Sequence, residues 1–547
     1  MFKRKDKERS VTSASAGTRM MTTMSRRGFL TLSSGAALAS TLCMIRPASG
    51  QEAIDEITWS LPTVPETLFV PHDWSTGIGV IMSLVQEGLL LFGNNLAMVP
   101  GPAESWELTD PTTVVYHLRS GVAFSDGSQL AADDVVATVK YHLRPDSGSQ
   151  VASFYSSVET VEATDPVTVT FKLKSPNSQF QYWAAVMGGF IFKKGQLGNA
   201  DLGTPDLLPL GTGPYKLVEF VPAERVILEA RDDYWGGKPV IKKITIVAIP
   251  DEQTRILAMQ NGDIDGTFTI SDIDQWKALG DVDVITVPSM GVYLLTLDQS
   301  MAPFDDIHVR KAISHAVDRE GLVKALLKGN GEPATALNPP EMWAGIIPPD
   351  EVRKFYATLP TYRFDLEKAK AQLKQSKYPN GFEVAVPCSN ADPYQTNILQ
   401  SVSANLKLIG ITAKVHEIDR SQWLAGYYRH ENLGMQIMSY SPDFADPSNY
   451  PYLAFHSANA VKDGMNGSNF KNPEVDKALD TANEKSDPKE RGEALKQVFK
   501  IANEDAAVVP IFWKASAMAI RNKYKFTGYN ALWYNIPWAM RGFDLKA

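Results

Sequence analysis

Two loops of the chain combine carboxylates with aromatic rings, a pairing suited to holding a cationic group. They cover residues 389–394 and 440–447, and their candidate ligand-binding residues are Asp392, Tyr394, Tyr440, Asp443 and Phe444. A carboxylate removed from water needs a partner, and a ligand ammonium over an aromatic face gains a cation–π contribution of roughly 0.5–2 kcal/mol. The alternative is that these aspartates are turn residues that cap the following helices, which proline after aspartate favours.

Four more aromatic side chains are candidates for contact with the same ligand. Phe69 and Trp74 lie in a proline-containing loop after the first strand, Trp343 precedes the ligand-facing sheet, and Trp423 opens a helix. The alternative for each is core packing, because large aromatic side chains are usually buried. Three aromatic residues near the end of the chain are assigned to packing: Trp533, Tyr534 and Trp538.

Signatures of catalysis and of metal binding are missing from the sequence. The eight histidines show no His-Glu-x-x-His spacing, and there is no Cys/His cluster for zinc. Nor is there a Gly-x-Ser-x-Gly elbow, a phosphate-binding loop or a dinucleotide fingerprint. We therefore expect a binding protein without a cofactor rather than an enzyme. An exported hydrolase is the alternative, since serine, histidine and aspartate are plentiful.

The second half of the chain has the alternation that would place both loops at one edge of a sheet. Strands are predicted over 382–387, 411–418 and 434–440, with helices over 394–408 and 421–430 between them. This order is typical of a parallel sheet with crossover helices. Ligands of such sheets bind beyond the carboxyl ends of the strands. A single helix is predicted over 308–328.

The first half of the chain lacks this regular alternation of strands and helices. Strands over 114–119 and 167–174 flank a helix that begins near Asp133, which predicts a small α+β subdomain over 91–204. Two strands, near 293–298 and 508–513, are predicted to link two lobes as a hinge. The predicted lobe boundaries are 51–90, 205–298 and 508–547 for lobe I and 299–507 for lobe II.

The first fifty residues read as an export signal. Arg26 and Arg27 precede an uncharged run over 31–45, and small residues over 48–50 fit a cleavage site before Gln51. This pattern predicts a twin-arginine signal and a periplasmic mature protein. Cys43 follows a leucine, whereas lipidation sites want a small residue there, so a lipid anchor is not expected.

Charge and cysteine content narrow the range of partners. Residues 1–50 hold nine Lys/Arg and two Asp/Glu, a net of +7, and the whole chain carries −8, which leaves about −15 for residues 51–547. An acidic protein is a poor nucleic-acid partner, because phosphate binding needs a basic surface. Cys388 is the only cysteine after residue 50, so no internal disulfide is expected. We expect a monomer.

Seven short stretches in one order resemble the peptide-type (family 5) extracytoplasmic solute-binding proteins of ABC importers. They are residues 86–90, 102–107, 116–127, 131–135, 211–215, 304–313 and 443–447. The resemblance covers most of residues 57–530. It implies an α/β, periplasmic-binding-protein-like fold of two lobes joined by a two-strand hinge, with an extra α+β subdomain on the first lobe. It also implies delivery of a small solute or peptide to an inner-membrane ABC permease with its ATPase.

The resemblance also implies roles for particular residues. In relatives that bind peptides, an aspartate in the last motif holds the ligand's α-amino group, and the matching residue is Asp443, with Tyr440 where tryptophan is usual. Dipeptide-binding members hold the ligand carboxylate with an arginine in an Arg-Pro-Tyr run, and the run here begins with Asp392. An aspartate there would repel a free ligand carboxylate, which counts against a simple dipeptide and favours longer peptides, amine-rich solutes or neutral polar solutes such as an opine or a short saccharide. A nickel or haem carrier that uses His416 or His456 is the remaining alternative.

Overall fold

The computed structural model describes residues 53–93, 96–442 and 444–546. The predicted export signal, its cleavage site and the candidate residue Asp443 therefore lie outside the described residues. Within the described part of the chain, no helix combines the length and the apolar character needed to cross a membrane.

Short strands and few helices form the part of the chain before residue 184. In chain order they are β1 Ile54–Leu61, α1 Thr76–Met82, β2 Leu90–Phe92, β3 Met98–Pro100, β4 Ala103–Asp110, β5 Thr113–Leu118, α2 Ala132–Leu143, β6 Val158–Asp165, β7 Thr168–Leu173 and α3 Phe180–Trp183. Strands β4 to β7 form an antiparallel sheet in the order β4-β5-β7-β6. Every second residue of β5 is buried, as its sequence alternation predicts. The predicted strands β5 and β7 and the helix α2 are confirmed.

The next elements belong to the largest sheet. They are β8 Tyr215–Val221, β9 Arg225–Ala230, β10 Ile241–Ala248, α4 Glu252–Asn261, β11 Gly266–Phe268, α5 Ile273–Lys277 and β12 Val282–Leu297. Strand β1 pairs in parallel with both β10 and β11. The carboxyl ends of these strands therefore lie at the same edge of the sheet, which is where ligands of parallel sheets bind.

Helices dominate the region from residue 307 to residue 505. The elements are α6 Ile307–Ala316, α7 Arg319–Leu326, β13 Gly331–Pro333, α8 Pro349–Tyr356, α9 Leu366–Gln375, β14 Phe382–Ser389, α10 Pro393–Lys407, β15 Ile411–Ile418, α11 Arg420–Arg429, β16 Met435–Tyr440, α12 Asn449–Phe455, α13 Pro473–Glu484 and α14 Pro488–Asp505. The chain ends with β17 Val508–Arg521, β18 Tyr524–Phe526 and β19 Phe543–Leu545.

The two longest strands, β12 and β17, run side by side from one half of the large sheet to the other. Their order in that sheet is β16-β12-β17-β11-β1-β10-β9-β8. One end of β17 pairs with β11, whereas the other end of β12 pairs with β16. The pairing between β12 and β17 shifts between Pro288 and Val292. These strands coincide with the predicted hinge strands, and the lobe boundaries remain a prediction.

Two predictions for the second half need correction. Strands β14 and β15 are parallel, as expected, but β16 pairs antiparallel with β12 instead of joining them. All residues of β16 except Ser439 are buried, so it is a buried edge strand of the large sheet. The single helix predicted over 308–328 is broken, because Val317 is extended and Asp318 caps α7 by accepting the N–H of Gly321.

A buried carboxylate joins the segment before β2 to the segment before β8 and to the loop between β9 and β10. Glu87 is fully buried, and its oxygens accept hydrogen bonds from Tyr234 Oη at 2.7 Å, Trp235 Nε1 at 2.9 Å and Thr212 Oγ1 at 3.0 Å. Burial is the largest influence and raises the pKa of Glu87 to about 7, although the three hydrogen bonds and Arg231 oppose it. Glu87 is thus a structural group whose ionisation bears on stability.

Candidate functional site

A cavity of about 550 Å³ lies where the two halves of the large sheet meet. This volume falls within the range of roughly 300–1,000 Å³ that is usual for small-molecule sites. Its walls come from four groups of residues, which are 61–63 with 75–77 and 80, 269–270 with 289–293, 439–442 with 514–517, and 529, 531, 533 and 534. The cavity is therefore enclosed by both lobes and by the two linking strands.

The carboxyl ends of parallel strands form one wall. Residues 61–63 follow β1 and residues 269–270 follow β11, and these two strands are parallel. The opposite wall comes from the end of β16, where Ser441 and Pro442 follow Tyr440. Tyr534 Oη donates to the carbonyl of Pro442 at 2.9 Å. The lobes therefore meet at the rim of the cavity.

Lys514 is the one formally charged side chain among the described residues that line the cavity. Its Nζ lies 4.5 Å from the ring centroid of Tyr394, a cation–π contact. Burial lowers the pKa of Lys514, and the carboxylates of Asp392 and Glu252 act against that effect. The amine of Lys514 is therefore partly shielded from water and contacts an aromatic ring.

Tyr440 is the one predicted site residue, among those the structure describes, that lines the cavity. Its hydroxyl donates to the carbonyl of Met465 at 3.0 Å, and its ring packs on Tyr450 with centroids 5.5 Å apart. These contacts hold the Tyr440 ring in one orientation at the cavity wall. Asp443, two residues beyond the lining residue Ser441, lies outside the described residues.

Asp392 and Tyr394 lie behind the cavity wall. The carboxylate of Asp392 accepts the backbone N–H of Tyr394 at 3.0 Å and the hydroxyl of Tyr293 at 3.0 Å. It is the N-cap of α10, which is the alternative that the sequence left open. Tyr293 lines the cavity, and Tyr394 supports Lys514. Both predicted residues therefore touch lining side chains without being lining residues themselves.

The other predicted aromatic residues lie outside the cavity lining. Phe444 is fully buried and stacks on Tyr182, with ring centroids 5.0 Å apart, in a contact between the extra subdomain and the second half. The remaining four pack against neighbours of their own, and they are Phe69 against Phe192, Trp74 against Phe154, Trp343 against Phe499 and Trp423 against Tyr427. For these five, contact with a ligand stays a prediction.

Several lining residues were not among the candidates from sequence. Tyr293 and Lys514 sit on the linking strands β12 and β17, whereas Tyr529, Trp533 and Tyr534 follow β18. Trp533 and Tyr534 had been assigned to packing, and Trp533 is indeed buried, yet both border the cavity. No local motif distinguishes them, because their place in the cavity depends on which strands pair. Among the described residues, no group of three or more His, Cys, Asp or Glu could hold a metal ion.

Comparison with known families decides the class of the protein. The family described as "Bacterial extracellular solute-binding proteins, family 5 Middle" matches residues 97–462. The chain belongs to this family. The predicted resemblance is thereby confirmed, and the family is one of binding proteins.

Similar proteins cover most of the chain. The dipeptide-binding protein of Escherichia coli is 28% identical over 461 residues, covering 78% of this chain and 83% of that protein. The haem-binding protein A of Haemophilus influenzae is 27% identical over 447 residues, or 75% of this chain and 78% of that one. The solved structure of the periplasmic binding protein DppA from Helicobacter pylori with the peptide STSA has a TM-score of 0.73 and 23% identity, covering 91% and 99% of the two chains. This likeness confirms the two-lobed α/β fold.

Proposed function

We propose that this protein captures a peptide, or a peptide-like solute bearing an amine, outside the cytoplasm and delivers it to an ABC permease with its ATPase. The observation that carries the proposal is the cavity of about 550 Å³ walled by both lobes and the linking strands. A ligand there touches both halves at once, so it stabilises the closed arrangement by its differential affinity for that arrangement.

The chemistry of the cavity walls supports a polar, amine-bearing ligand. Serine and tyrosine side chains contribute to the walls, which suits a solute with an amide backbone; the residues are Ser75, Ser289, Ser439, Ser441, Ser516, Tyr293, Tyr440, Tyr529 and Tyr534. Asp443 is proposed as the partner of the ligand ammonium. No histidine is among the described lining residues, and His456 bonds to Asp480 away from the cavity. The described lining residues therefore offer no imidazole to a nickel or haem ligand.

A ligand screen tests the proposal. The protein purified without refolding is denatured, and the released solutes are identified by mass spectrometry; the emptied protein is then screened by thermal shift against peptides, opines, polyamines and sugars. A ligand at a hundred times its dissociation constant should stabilise the fold by about 2.7 kcal/mol. Stabilisation by peptides or related amines is the expected result. Stabilisation by a haem or nickel complex alone, or by nothing, would contradict the proposal.

We further propose that the protein reaches the periplasm by twin-arginine export. The pair Arg26 and Arg27, followed by an uncharged run, supports this route. Changing both arginines to lysine should leave the protein in the cytoplasm, as measured by cell fractionation and immunoblotting. An Arg4→Lys, Arg9→Lys double variant is the control, because it makes the same exchange elsewhere in the leader. Normal periplasmic amounts of the twin-lysine variant would exclude the route.

A further inference from the structure

Among the described residues, the cavity has one cationic side chain, Lys514, and no described residue forms a hydrogen bond or an ion pair with it. Lys514 lies on the linking strand β17, opposite Gly331 of β13, and its side chain lines the cavity. No hydrogen bond or ion pair within 4.0 Å joins its ammonium to another described residue. Its Nζ lies 4.5 Å from the centroid of the Tyr394 ring, which is uncharged.

Two carboxylates, Asp392 and Glu252, act electrostatically on Lys514, but both accept hydrogen bonds from other groups. Asp392 accepts the Tyr293 hydroxyl and the N–H of Tyr394, both at 3.0 Å. Glu252 Oε1 accepts Trp276 Nε1 at 2.9 Å and the N–H of Ser271 at 2.7 Å. Both therefore influence Lys514 from a distance, and neither neutralises it by contact. Asp392 is not a lining residue, so a ligand carboxylate at Lys514 would not contact it.

A hydroxyl shares the face of Lys514. Residues two apart on a strand project to the same side of the sheet, and Ser516 lies two positions after Lys514 and also lines the cavity. Ser289 lines the cavity from the neighbouring strand β12, near the point where the pairing of the strands shifts. An ammonium with hydroxyls nearby is a site for an anion, since charge-assisted hydrogen bonds to a carboxylate are the strong ones.

We propose that Lys514 anchors a carboxylate of the bound solute, so that the protein selects solutes bearing an acidic group. This inference rests on the proposed function, because it names the chemistry of the ligand in the same cavity. For the amine-bearing solute of the proposed function, it adds a free acid as a second recognised group. Lys514 belongs to a linking strand, so the bound carboxylate also contacts the segment that joins the lobes.

The test uses pairs of probes that differ only in the acid. Short peptides, from dipeptide to pentapeptide, are compared with the same peptides as C-terminal amides by isothermal titration calorimetry at neutral pH. Where a peptide binds, the wild-type protein should bind its free acid with roughly ten- to hundredfold higher affinity than its amide. The reason is that hydrogen bonds to charged groups contribute about 1.5–3 kcal/mol. Lys514→Met should lose that preference by weakening the acid and leaving the amide unchanged.

Two further variants separate charge loss from other effects. Lys525→Met is the matched control, because Lys525 is exposed on β18 and is not among the lining residues, and it should keep the preference for the acid. Lys514→Arg should retain part of it. Should Lys514→Met fail to fold, Lys514→Gln takes its place in the comparison of acid with amide.

The outcomes distinguish this inference from the function on which it rests. Equal binding of acid and amide, or an unchanged preference in Lys514→Met, would overturn the role of Lys514 while leaving solute binding intact. If no probe of either kind bound the wild type at millimolar concentration, peptide binding itself would fail, and the inference would fall with it.

Discussion

Asp443→Asn is expected to weaken ligand binding by roughly thirtyfold to a few thousandfold. Removing one partner of a desolvated, hydrogen-bonded charge pair typically costs about 2–5 kcal/mol, at about 1.4 kcal/mol per tenfold change in affinity. Asparagine keeps the size of the side chain and removes its charge. The residues just before it, Ser441 and Pro442, line the cavity at the end of β16. Thermal stability without ligand should hardly change.

Calorimetry with the solute found by the screen measures the effect of Asp443→Asn. Asp206→Asn is a suitable control, because Asp206 is exposed and is not among the lining residues; it removes the same charge and should bind like the wild type. The ligand with its amine acetylated should bind the wild type poorly and should lose little more in Asp443→Asn. If Asp443→Asn binds the unmodified ligand as tightly as the wild type, the aspartate is a turn residue only.

Local patterns predicted single elements well, because their signal is contained within one element. The alternation in β5 and β7 and the apolar face of α2 depend only on neighbours a few residues apart. The partner of a strand is a long-range property, so the alternation after residue 307 could not show that β16 belongs beside β12. The break at Val317 and Asp318 was missed because an apolar helical period continues through a cap.

The cavity was less predictable than the fold, since its walls come from distant parts of the chain. Lys514 has no distinguishing neighbours in sequence. The fold places it against the ring of Tyr394, which in turn packs on Tyr293. The pairing of a carboxylate with aromatic rings pointed to the loop after β16, where Tyr440, Ser441 and Pro442 line the cavity, and contact of this loop with a ligand stays a prediction. The same rule at Asp392 found a helix cap, because the cap and the ligand anchor need the same residue type.

Two of the motifs that carried the family resemblance proved structural. Residues 86–90 and 211–215 meet at the buried Glu87, to which Thr212 donates. A side chain at Gly211 would place its Cβ 1.9 Å from the carbonyl oxygen of Val85, so the backbones can approach this closely only with glycine there. These two motifs are therefore signs of the fold, because they form packing contacts within it. Information about the ligand has to come from the residues that line the cavity.

The Glu87 joint predicts a pH dependence of stability that Glu87→Gln removes. Folding raises the pKa of Glu87 from 4.5 to about 7, so between these values the folded state binds more protons than the unfolded state. Stability then falls as pH rises. The contribution is fully present below pH 4.5 and is lost as pH rises through about 7. A shift of this size corresponds to about 3 kcal/mol.

The measurement is urea unfolding of wild type and Glu87→Gln, followed by tryptophan fluorescence from pH 4.5 to one unit above the folded-state pKa. The unfolding free energy of the wild type minus that of the variant should decrease by about 3 kcal/mol over this range, because other titrating groups cancel in the difference. Glu159→Gln, at an exposed position of β6, should give a flat difference. A flat difference for Glu87→Gln as well would mean that Glu87 stays ionised in the folded protein. The hydrogen bonds from Tyr234, Trp235 and Thr212 would then outweigh its burial.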